Sequence, residues 1–216
     1  MNERVGSLYR LEIIKYLQYT DNQGAVLDIG CHDNLILSHI DAPLKIAVDI
    51  VRPSVPCNIL FVQADINHLP FMDGAFNQVF ILDVVEHVKE DYLIPNSLLR
   101  VLSPKAGFLL TTPSKSIRLY PGFLTNYISQ KWGHVYRLGY SKSELLKLFN
   151  QDFYLKFMEW NAPWWRFFYL PIRLLSEISP YLMKLLIKII FFLDTLSVHG
   201  DKGYFVLEGT PKNEKK

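Results

Sequence analysis

Cysteine is scarce in this sequence, and the features that mark secreted chains are missing. The only two cysteines are Cys31 and Cys57, too few for the disulfide framework of a small secreted domain. Residues 1–10 contain no apolar segment, so no secretory signal is expected. With 216 residues, the chain is long enough for one domain with a sizeable core. We therefore expect a single-domain protein of a reducing compartment, located in the cytoplasm.

A dinucleotide fingerprint of the form G-x-G-x-x-G is also lacking, which disfavours an NAD-dependent oxidoreductase. Residues 25–29 instead form an apolar run that carries Asp28 and ends at Gly30. Such a run predicts a buried parallel strand leading into a tight turn. Backbone N–H groups and a helix N-terminus converge at such a turn and receive nucleotide-like ligands. An acid before the glycine suits a ligand with a cationic, amino-bearing end, and a side chain at Gly30 is expected to intrude on that ligand.

A second acid follows at the usual distance for ribose recognition. Asp49 ends the predicted second strand, residues 45–50, and lies 21 positions after Asp28. Nucleotide-binding α/β folds place an acid about 20 residues beyond the first turn to bind ribose hydroxyls. A carboxylate suits this role because it is a pure acceptor that takes two hydrogen bonds at once.

A third acid, Asp65, follows the predicted third strand, residues 58–63. It suits an exocyclic amine of a base, with Ile66 packing on the base. The alternative is that Asp65 caps a helix N-terminus. The residues alone leave both interpretations open.

The most specific passage is residues 69–88. It reads L-P-F-M-D-G-A-F-N, then an apolar strand, then D-V-V-E-H-V. The turn after residue 29 has the form D-x-G-x-G-x-G, with His32 and Asn34 at the second and third glycine positions. This turn and residues 69–88 together resemble the methyltransferase type 11 branch of the class I S-adenosylmethionine (SAM)-dependent methyltransferases. That branch includes the quinone C-methyltransferases, and the resemblance covers residues 25–150.

The resemblance implies a Rossmann-like class I methyltransferase fold of the α/β class. Its sheet would be seven-stranded and mostly parallel, with an antiparallel last strand and helices on both sides. It also implies SAM as the cofactor, with adenine held near Asp65 and Ile66 and the reacting methyl group beside Asp83. The residues expected to bind the cofactor are Asp28, Gly30, Cys31, His32, Asp49, Ile50, Asp65, Ile66 and Asp83.

The candidate catalytic residues are Asp83, His87 and His134, with Glu86 close to them in sequence. A proton acceptor is needed only if the methyl acceptor carries a proton. His134 is equally compatible with packing or substrate contact. Glu86 and His87 resemble half of a metal site, but no second pair matches them, so no metal is expected.

Three further segments surround the predicted sheet. Residues 1–20 contain an amphipathic helix at 7–19. Residues 114–140 carry four basic residues, six aromatic residues and no acid, and we expect them to form the substrate loop. Residues 161–201 form an apolar helical insertion between strands six and seven.

The insertion contains the most apolar stretch of the chain, residues 181–198. Two lysines and an aspartate interrupt it, and a membrane span needs about 20 apolar residues. One crossing would also separate the seventh strand from its sheet. An in-plane helix on the inner membrane face, a lid over a hydrophobic substrate and a homodimer interface all stay open.

Charge is divided unevenly along the chain. Residues 1–110 carry 8 basic and 13 acidic residues, whereas residues 111–216 carry 15 and 8. The basic half favours an anionic substrate or an anionic membrane surface. The apolar insertion favours a hydrophobic acceptor, either a small molecule or a lipid-linked one. The predicted function is methyl transfer to such an acceptor. The alternatives are a non-catalytic SAM-binding partner subunit and an RNA-modifying methyltransferase, although the basic residues are scattered rather than clustered and nucleic acid is not the favoured partner.

Overall fold

The structure, a computed structural model, describes residues 4–53, 59–131, 133, 136–197 and 200–212. Its centre is one seven-stranded sheet of order β3-β2-β1-β4-β5-β7-β6. Strands β1 to β5 run parallel, and β7 pairs antiparallel with both β5 and β6. The predicted fold class is confirmed. The strands are Ala25–Ile29 (β1), Leu44–Asp49 (β2), Leu60–Gln63 (β3), Phe76–Leu82 (β4), Leu102–Pro113 (β5), Phe153–Trp160 (β6) and Tyr204–Pro211 (β7).

The central strands are apolar because both of their faces are covered. Strand β1 is buried from Val26 onward, and β4 buries Val79, Phe80 and Ile81 completely. Strand β5 has 12 residues. Its first residues continue the pairing with β4 across a register shift, from Gln78–Gly107 back to Phe76–Leu102.

Helices cover both faces of the sheet. They are Val5–Tyr16 (α1), Leu35–Ser38 (α2), Ile94–Val101 (α3), Thr125–Lys131 (α4), Lys142–Phe149 (α5), Pro163–Leu175 (α6) and Pro180–Thr195 (α7). One core cluster packs α1, α2, α6 and α7 on one face, and a second packs α3 and α5 on the other. A capping box of Ser141 and Glu144 opens α5.

The two helices between β6 and β7 pack on α1. Tyr9 stacks on Trp165 with ring centroids 4.2 Å apart. Its hydroxyl group donates to Asp194 at 2.6 Å and accepts from the indole of Trp160 at 2.9 Å. The N-terminal helix and the α6–α7 hairpin are therefore fastened together by buried polar contacts.

Local differences from the sequence prediction lie at element ends and in the segment 114–140. That segment contains α4, which is too short for its periodicity to stand out. In the part of the chain that the structure describes, every helix is too short or too polar to cross a membrane.

Candidate functional site

The acids that the sequence singles out lie at one edge of the sheet. Strands β2, β1 and β4 are parallel neighbours, with Asp28 level with Ala47 on one side and Phe80 on the other. Their carboxyl ends therefore place Asp49, the turn after β1, and Asp83 side by side. Ligands of open parallel sheets bind at this edge.

The turn after β1 keeps a glycine-like path although two glycines are replaced. Gly30 has φ +77°, His32 has φ +40° and Asn34 has φ +56°. Asn and His are among the residues that enter this left-handed region most readily. The Gly30 N–H donates to Val48 on the neighbouring strand at 2.8 Å. The backbone conformation of a D-x-G-x-G-x-G turn is thus retained without its second and third glycines.

Gly30 faces a protein side chain. A Cβ atom built on it would lie 2.3 Å from the Cγ2 of Val84, too close for any real contact. The sequence analysis expects a side chain here to meet the ligand, and the structure adds a collision with the turn after β4. Gly30 therefore permits both its own backbone angle and the close approach of two strand-end turns.

Asp28 is a buried carboxylate at the base of this turn. It is 2% exposed, and its Oδ2 atom accepts no hydrogen bond from the residues that the structure describes. Burial raises the pKa of this carboxyl well above its ordinary range, and the charges of Asp33 and Asp49 add to the effect. A cationic hydrogen-bond donor would satisfy the orphaned oxygen. The site therefore fits a ligand with an ammonium group.

Both carboxylate oxygens of Asp49 accept hydrogen bonds from backbone N–H groups. Its Oδ2 accepts from the His32 N–H at 3.2 Å, and its Oδ1 accepts from the Val51 N–H at 3.1 Å. Each oxygen keeps a second lone pair for a ligand. Cys31, in the turn, is buried, whereas Ile50 is 66% exposed beside Asp49.

Asp65 has the capping role that the sequence leaves open as an alternative. Its Oδ1 accepts from the Asn67 N–H at 2.8 Å and so caps a short 3₁₀ helix. The second oxygen is not used in that cap. Ile66 is buried, and it packs in the core beneath.

Asp83 lies at the end of β4 in a left-handed conformation, φ +56°. Its Oδ2 accepts from Nε of Arg10 at 2.8 Å and also from Nη2 of the same guanidinium. Its Oδ1 accepts from the Thr111 hydroxyl at 2.9 Å. Arg10 is 4% exposed and lies 4.0 Å from the ring centroid of Tyr204. The N-terminal helix thus delivers a buried cation to the edge where the acids gather.

Glu86 is fully buried next to this pair. Its Oε2 accepts from the Thr112 hydroxyl at 3.0 Å. Burial raises its pKa to about 8, and the nearby charge of Asp83 raises it further than burial alone would. Glu86 is therefore largely protonated at neutral pH, unlike an exposed glutamate.

The remaining catalytic candidates lie apart from this cluster or outside the structure's description. His87 is half-buried, and its Nδ1 lies 3.0 Å from the carbonyl oxygen of Gly133. It ties the turn after β4 to the segment after α4. His134 lies outside the described residues.

Sequence reasoning missed Arg10, Thr111, Tyr204 and Asp194. Arg10 belongs to a helix whose apolar spacing suggests that its charged residues face water. Its burial depends on Asp83, 73 positions away, and no local pattern reports such a contact. A buried ion pair between an N-terminal helix and a strand end leaves no periodic signal in the sequence.

Comparison with known proteins agrees with this arrangement. Residues 27–110 match the family model of the methyltransferase domain, type 11. Over 91 residues the chain is 33% identical to the ubiquinone/menaquinone biosynthesis C-methyltransferase UbiE of Idiomarina loihiensis, which covers 41% of this chain and 36% of that protein. The chain spans about a third of the length of the curated relatives it matches.

Two solved structures share the fold. The YcgJ protein of Bacillus subtilis superposes with a TM-score of 0.58 at 16% identity, covering 94% of this chain and 98% of that one. Phosphoethanolamine N-methyltransferase 2 of Haemonchus contortus, solved in complex with SAM, superposes with a TM-score of 0.63 at 14% identity, covering 93% of this chain and 51% of the other. At these identities the likeness concerns the fold.

The domain match covers the strands β1 to β4 and their turns, where Asp28, Asp49 and Asp83 lie. SAM is the cofactor of the family that this match defines, and the open oxygen of Asp28 suits its cationic end. Residues 27–110 therefore match the type 11 domain of the class I SAM-dependent methyltransferases, and the strand order of the sheet is that of the class I methyltransferase fold.

Proposed function

We propose that this protein transfers the methyl group of SAM to a hydrophobic small-molecule or lipid-linked acceptor. The observation that carries the proposal is the convergence of Asp28, Asp49 and Asp83 at adjacent strand ends, around a turn that keeps its left-handed path. The adenosine would lie towards β2 and β3, over Asp49 and Asp65. The sulfonium end would lie towards β4.

When bound, SAM supplies an electrophilic methyl group whose bond to sulfur breaks as the bond to the acceptor forms. The protein's contribution is to bind, orient and exclude water. We assign ribose binding to Asp49 and the cationic end to Asp28. Helix α1 covers the edge, since its Arg4 N–H contacts Asp33 at 3.2 Å and its Arg10 contacts Asp83. A covered edge keeps water from the reacting atoms.

Asp83 is better suited to positioning than to proton transfer. Both of its carboxylate oxygens already accept hydrogen bonds, one from the Arg10 guanidinium and the other from the Thr111 hydroxyl. His87 is directed towards Gly133. We therefore propose that methyl transfer depends on placing the acceptor nucleophile in line with the methyl group. Asp83 would contribute by holding Arg10 and Thr111 in position.

The segment after β5 gives the acceptor side an aromatic character. Tyr120, Phe123 and Tyr127 are 59%, 82% and 56% exposed, and the segment leaves the carboxyl end of β5, where substrates enter open sheets. Two of its cations are already paired, Lys115 with Glu144 and Arg137 with Asp91. These ion pairs lower the positive electrostatic potential of the segment. A segment with little free positive charge suits an apolar acceptor better than RNA.

The α6–α7 hairpin extends this surface. Tyr120 stacks on Phe167 with ring centroids 4.7 Å apart, and its N–H donates to the carbonyl oxygen of Arg166 at 3.0 Å. At about 100° per residue, the exposed apolar residues of α7 fall in one stripe, opposite the face that packs on α1. These residues are Tyr181, Leu182, Leu185, Ile189, Phe192 and, just beyond the helix, Leu196.

We propose that this stripe rests on an anionic membrane surface that carries or concentrates the acceptor. Lys184 and Lys188 flank it on one side, in the position from which long side chains reach head groups. The Trp164 side chain, 42% exposed, lies on the outer face of α6. A homodimer interface is the alternative use of this face, and vesicle sedimentation together with the oligomeric state separates the two.

Binding and turnover are measured separately. Isothermal titration with S-adenosylhomocysteine tests the site, and release of labelled methyl from SAM into an organic extract of isoprenoid quinone precursors and phospholipids tests the reaction. Binding together with labelled extract supports the proposal. Binding without transfer to any extract would favour a non-catalytic SAM-binding subunit, and no binding at all would overturn the cofactor assignment.

A further inference from the structure

Carboxyl groups gather at the edge of the sheet that receives the cofactor. Asp28, Asp49, Asp83 and Glu86 all lie at the ends of β1, β2 and β4. SAM, however, ends in an α-amino acid, which carries a carboxylate as well as an ammonium group. A carboxylate entering this edge would be repelled unless a cation met it.

Arg10 is the buried cation in position to do so. Its guanidinium contacts Asp83 through Nε and Nη2, while Nη1 is buried without a hydrogen bond to any described residue. Buried donors are rarely left unused, so an orphaned Nη1 indicates a missing acceptor. The Asp83 side chain is 29% exposed, so the pair can be reached from the ligand side.

The position of Arg10 is also fixed by contacts of α1 with β6, β7 and α7. Its guanidinium stacks over the Tyr204 ring, and the preceding residue, Tyr9, is anchored to Asp194 and Trp160. A cation whose helix is held by three elements cannot swing into solvent without breaking these contacts. Its rigidity suits recognition of a planar carboxylate by a planar fork of donors.

We propose that Arg10 binds the α-carboxylate of the cofactor, while the acids at the same edge take its α-ammonium group. In the free protein Arg10 and Asp83 neutralise each other. In the complex, two ion pairs replace the single pair of Arg10 and Asp83. Arg10 pairs with the α-carboxylate of the cofactor, and the acids pair with its α-ammonium group. The inference rests on the proposed use of SAM and adds a cofactor-binding residue from outside the matched domain.

The test compares three ligands by isothermal titration. S-adenosylhomocysteine carries the whole amino acid, its decarboxylated form lacks only the carboxylate, and 5′-methylthioadenosine lacks the amino acid. The wild type should bind S-adenosylhomocysteine at least tenfold more tightly than the decarboxylated ligand. Arg10→Met should remove most of that preference and change the affinity for 5′-methylthioadenosine less than twofold. Arg10→Lys should keep part of the preference, and Lys15→Ala, on the same helix, should keep all of it.

Several results would overturn the inference. Equal affinity of the wild type for the carboxylated and decarboxylated ligands would do so without any variant, as would an unchanged preference in folded Arg10→Met. If Arg10→Met weakened all three ligands equally, Arg10 would be a structural residue only. Failure of the wild type to bind any of the three would instead overturn the proposed function itself. Should Arg10→Met not fold, the wild-type comparison and Arg10→Lys decide the question.

Discussion

At the scale of single residues, His32 and Asn34 show how the first turn works without its glycines. Both stand where the family pattern has glycine, and both adopt positive φ values. A left-handed residue other than glycine costs about 1–2 kcal/mol, yet the turn is kept. The left-handed backbone path is kept despite this cost, which supports a ligand-binding role for the turn over loss of that role.

The first prediction concerns Asp49. We expect its two oxygens to accept hydrogen bonds from ribose hydroxyl groups, and hydrogen bonds to a charged group contribute roughly 1.5–3 kcal/mol each. Asp49→Ala should therefore weaken S-adenosylhomocysteine binding at least tenfold by calorimetry. Asp49→Asn keeps the size and one acceptor, so it should lose less. Asp41→Ala, at an exposed acid, is the control, and an unchanged affinity in folded Asp49→Ala would show that the ribose lies elsewhere.

The second prediction follows from the raised pKa of Glu86. Its folded-state pKa of about 8 lies above its ordinary value of 4.5, so the folded protein binds this proton more tightly than the unfolded chain. The resulting contribution to stability is fully present below pH 4.5 and is lost as the pH rises to 8. Glu86→Gln cannot ionise, so it should gain stability relative to the wild type between pH 5 and pH 8. Urea unfolding at both values measures the difference, and a constant difference would contradict it.

At the scale of elements, the α6–α7 hairpin depends on one buried carboxylate. Asp194 of α7 accepts from the Trp164 and Trp165 N–H groups at the start of α6, at 2.9 and 3.1 Å. It also accepts from Tyr9 of α1. One side chain therefore caps α6, joins it to α7 and holds α1, the helix that carries Arg10.

The third prediction tests this junction. Asp194→Ala leaves two N–H groups and a hydroxyl group without their acceptor, and each such loss costs about 1–3 kcal/mol. The free energy of unfolding should fall by roughly 3 kcal/mol or more in urea titrations. Asp194→Asn should cost less because its amide oxygen still accepts. Glu177→Ala, at an exposed acid of the same hairpin, should change stability by less than about 0.5 kcal/mol. Equal effects of the two alanine variants would contradict the junction role.

Two residues of the hairpin, Trp165 and Arg166, make contacts within the domain. A membrane-facing tryptophan would be exposed, but Trp165 is 1% exposed and stacks on Tyr9. The guanidinium of Arg166 donates to both oxygens of Asn161 and to the carbonyl of Arg118. Both side chains hold the hairpin to the domain, so substitutions there would test folding rather than membrane contact.

At the scale of the whole molecule, the α6–α7 hairpin contacts the aromatic segment after β5 through Tyr120 and Phe167 and exposes the apolar stripe of α7. The fourth prediction is that the wild type sediments with vesicles of equal parts phosphatidylcholine and phosphatidylglycerol. Sedimentation should fall at high salt, because each lysine near an anionic surface contributes about 1 kcal/mol. Leu185→Glu/Phe192→Glu, at two exposed positions, should abolish it without loss of fold.

The control for this prediction is Met72→Glu, which adds a charge at an exposed apolar residue away from the hairpin. It should sediment like the wild type. If the wild type ignores the vesicles and elutes as a dimer that Leu185→Glu/Phe192→Glu separates, the stripe joins two copies of the chain. That result would overturn the membrane proposal.

The sequence by itself determined the sheet and the acids at its edge. Apolar strands, the turn at Gly30 and the acid 21 positions after Asp28 are local patterns, and local patterns survive any tertiary arrangement. Their family resemblance then predicted a seven-stranded, mostly parallel sheet with an antiparallel last strand. Asp49 and Asp83 could be placed because parallel strands bring their carboxyl ends to one edge.

Only the tertiary structure decided which charges meet. The partners Arg10 and Asp83 are 73 positions apart, and Tyr9 and Asp194 are 185 apart. No periodicity connects such residues, because contacts between elements depend on how three layers pack. The same packing buries Trp165 and leaves the apolar stripe of α7 exposed. It also places α1, which carries Arg10, at the side of the candidate site.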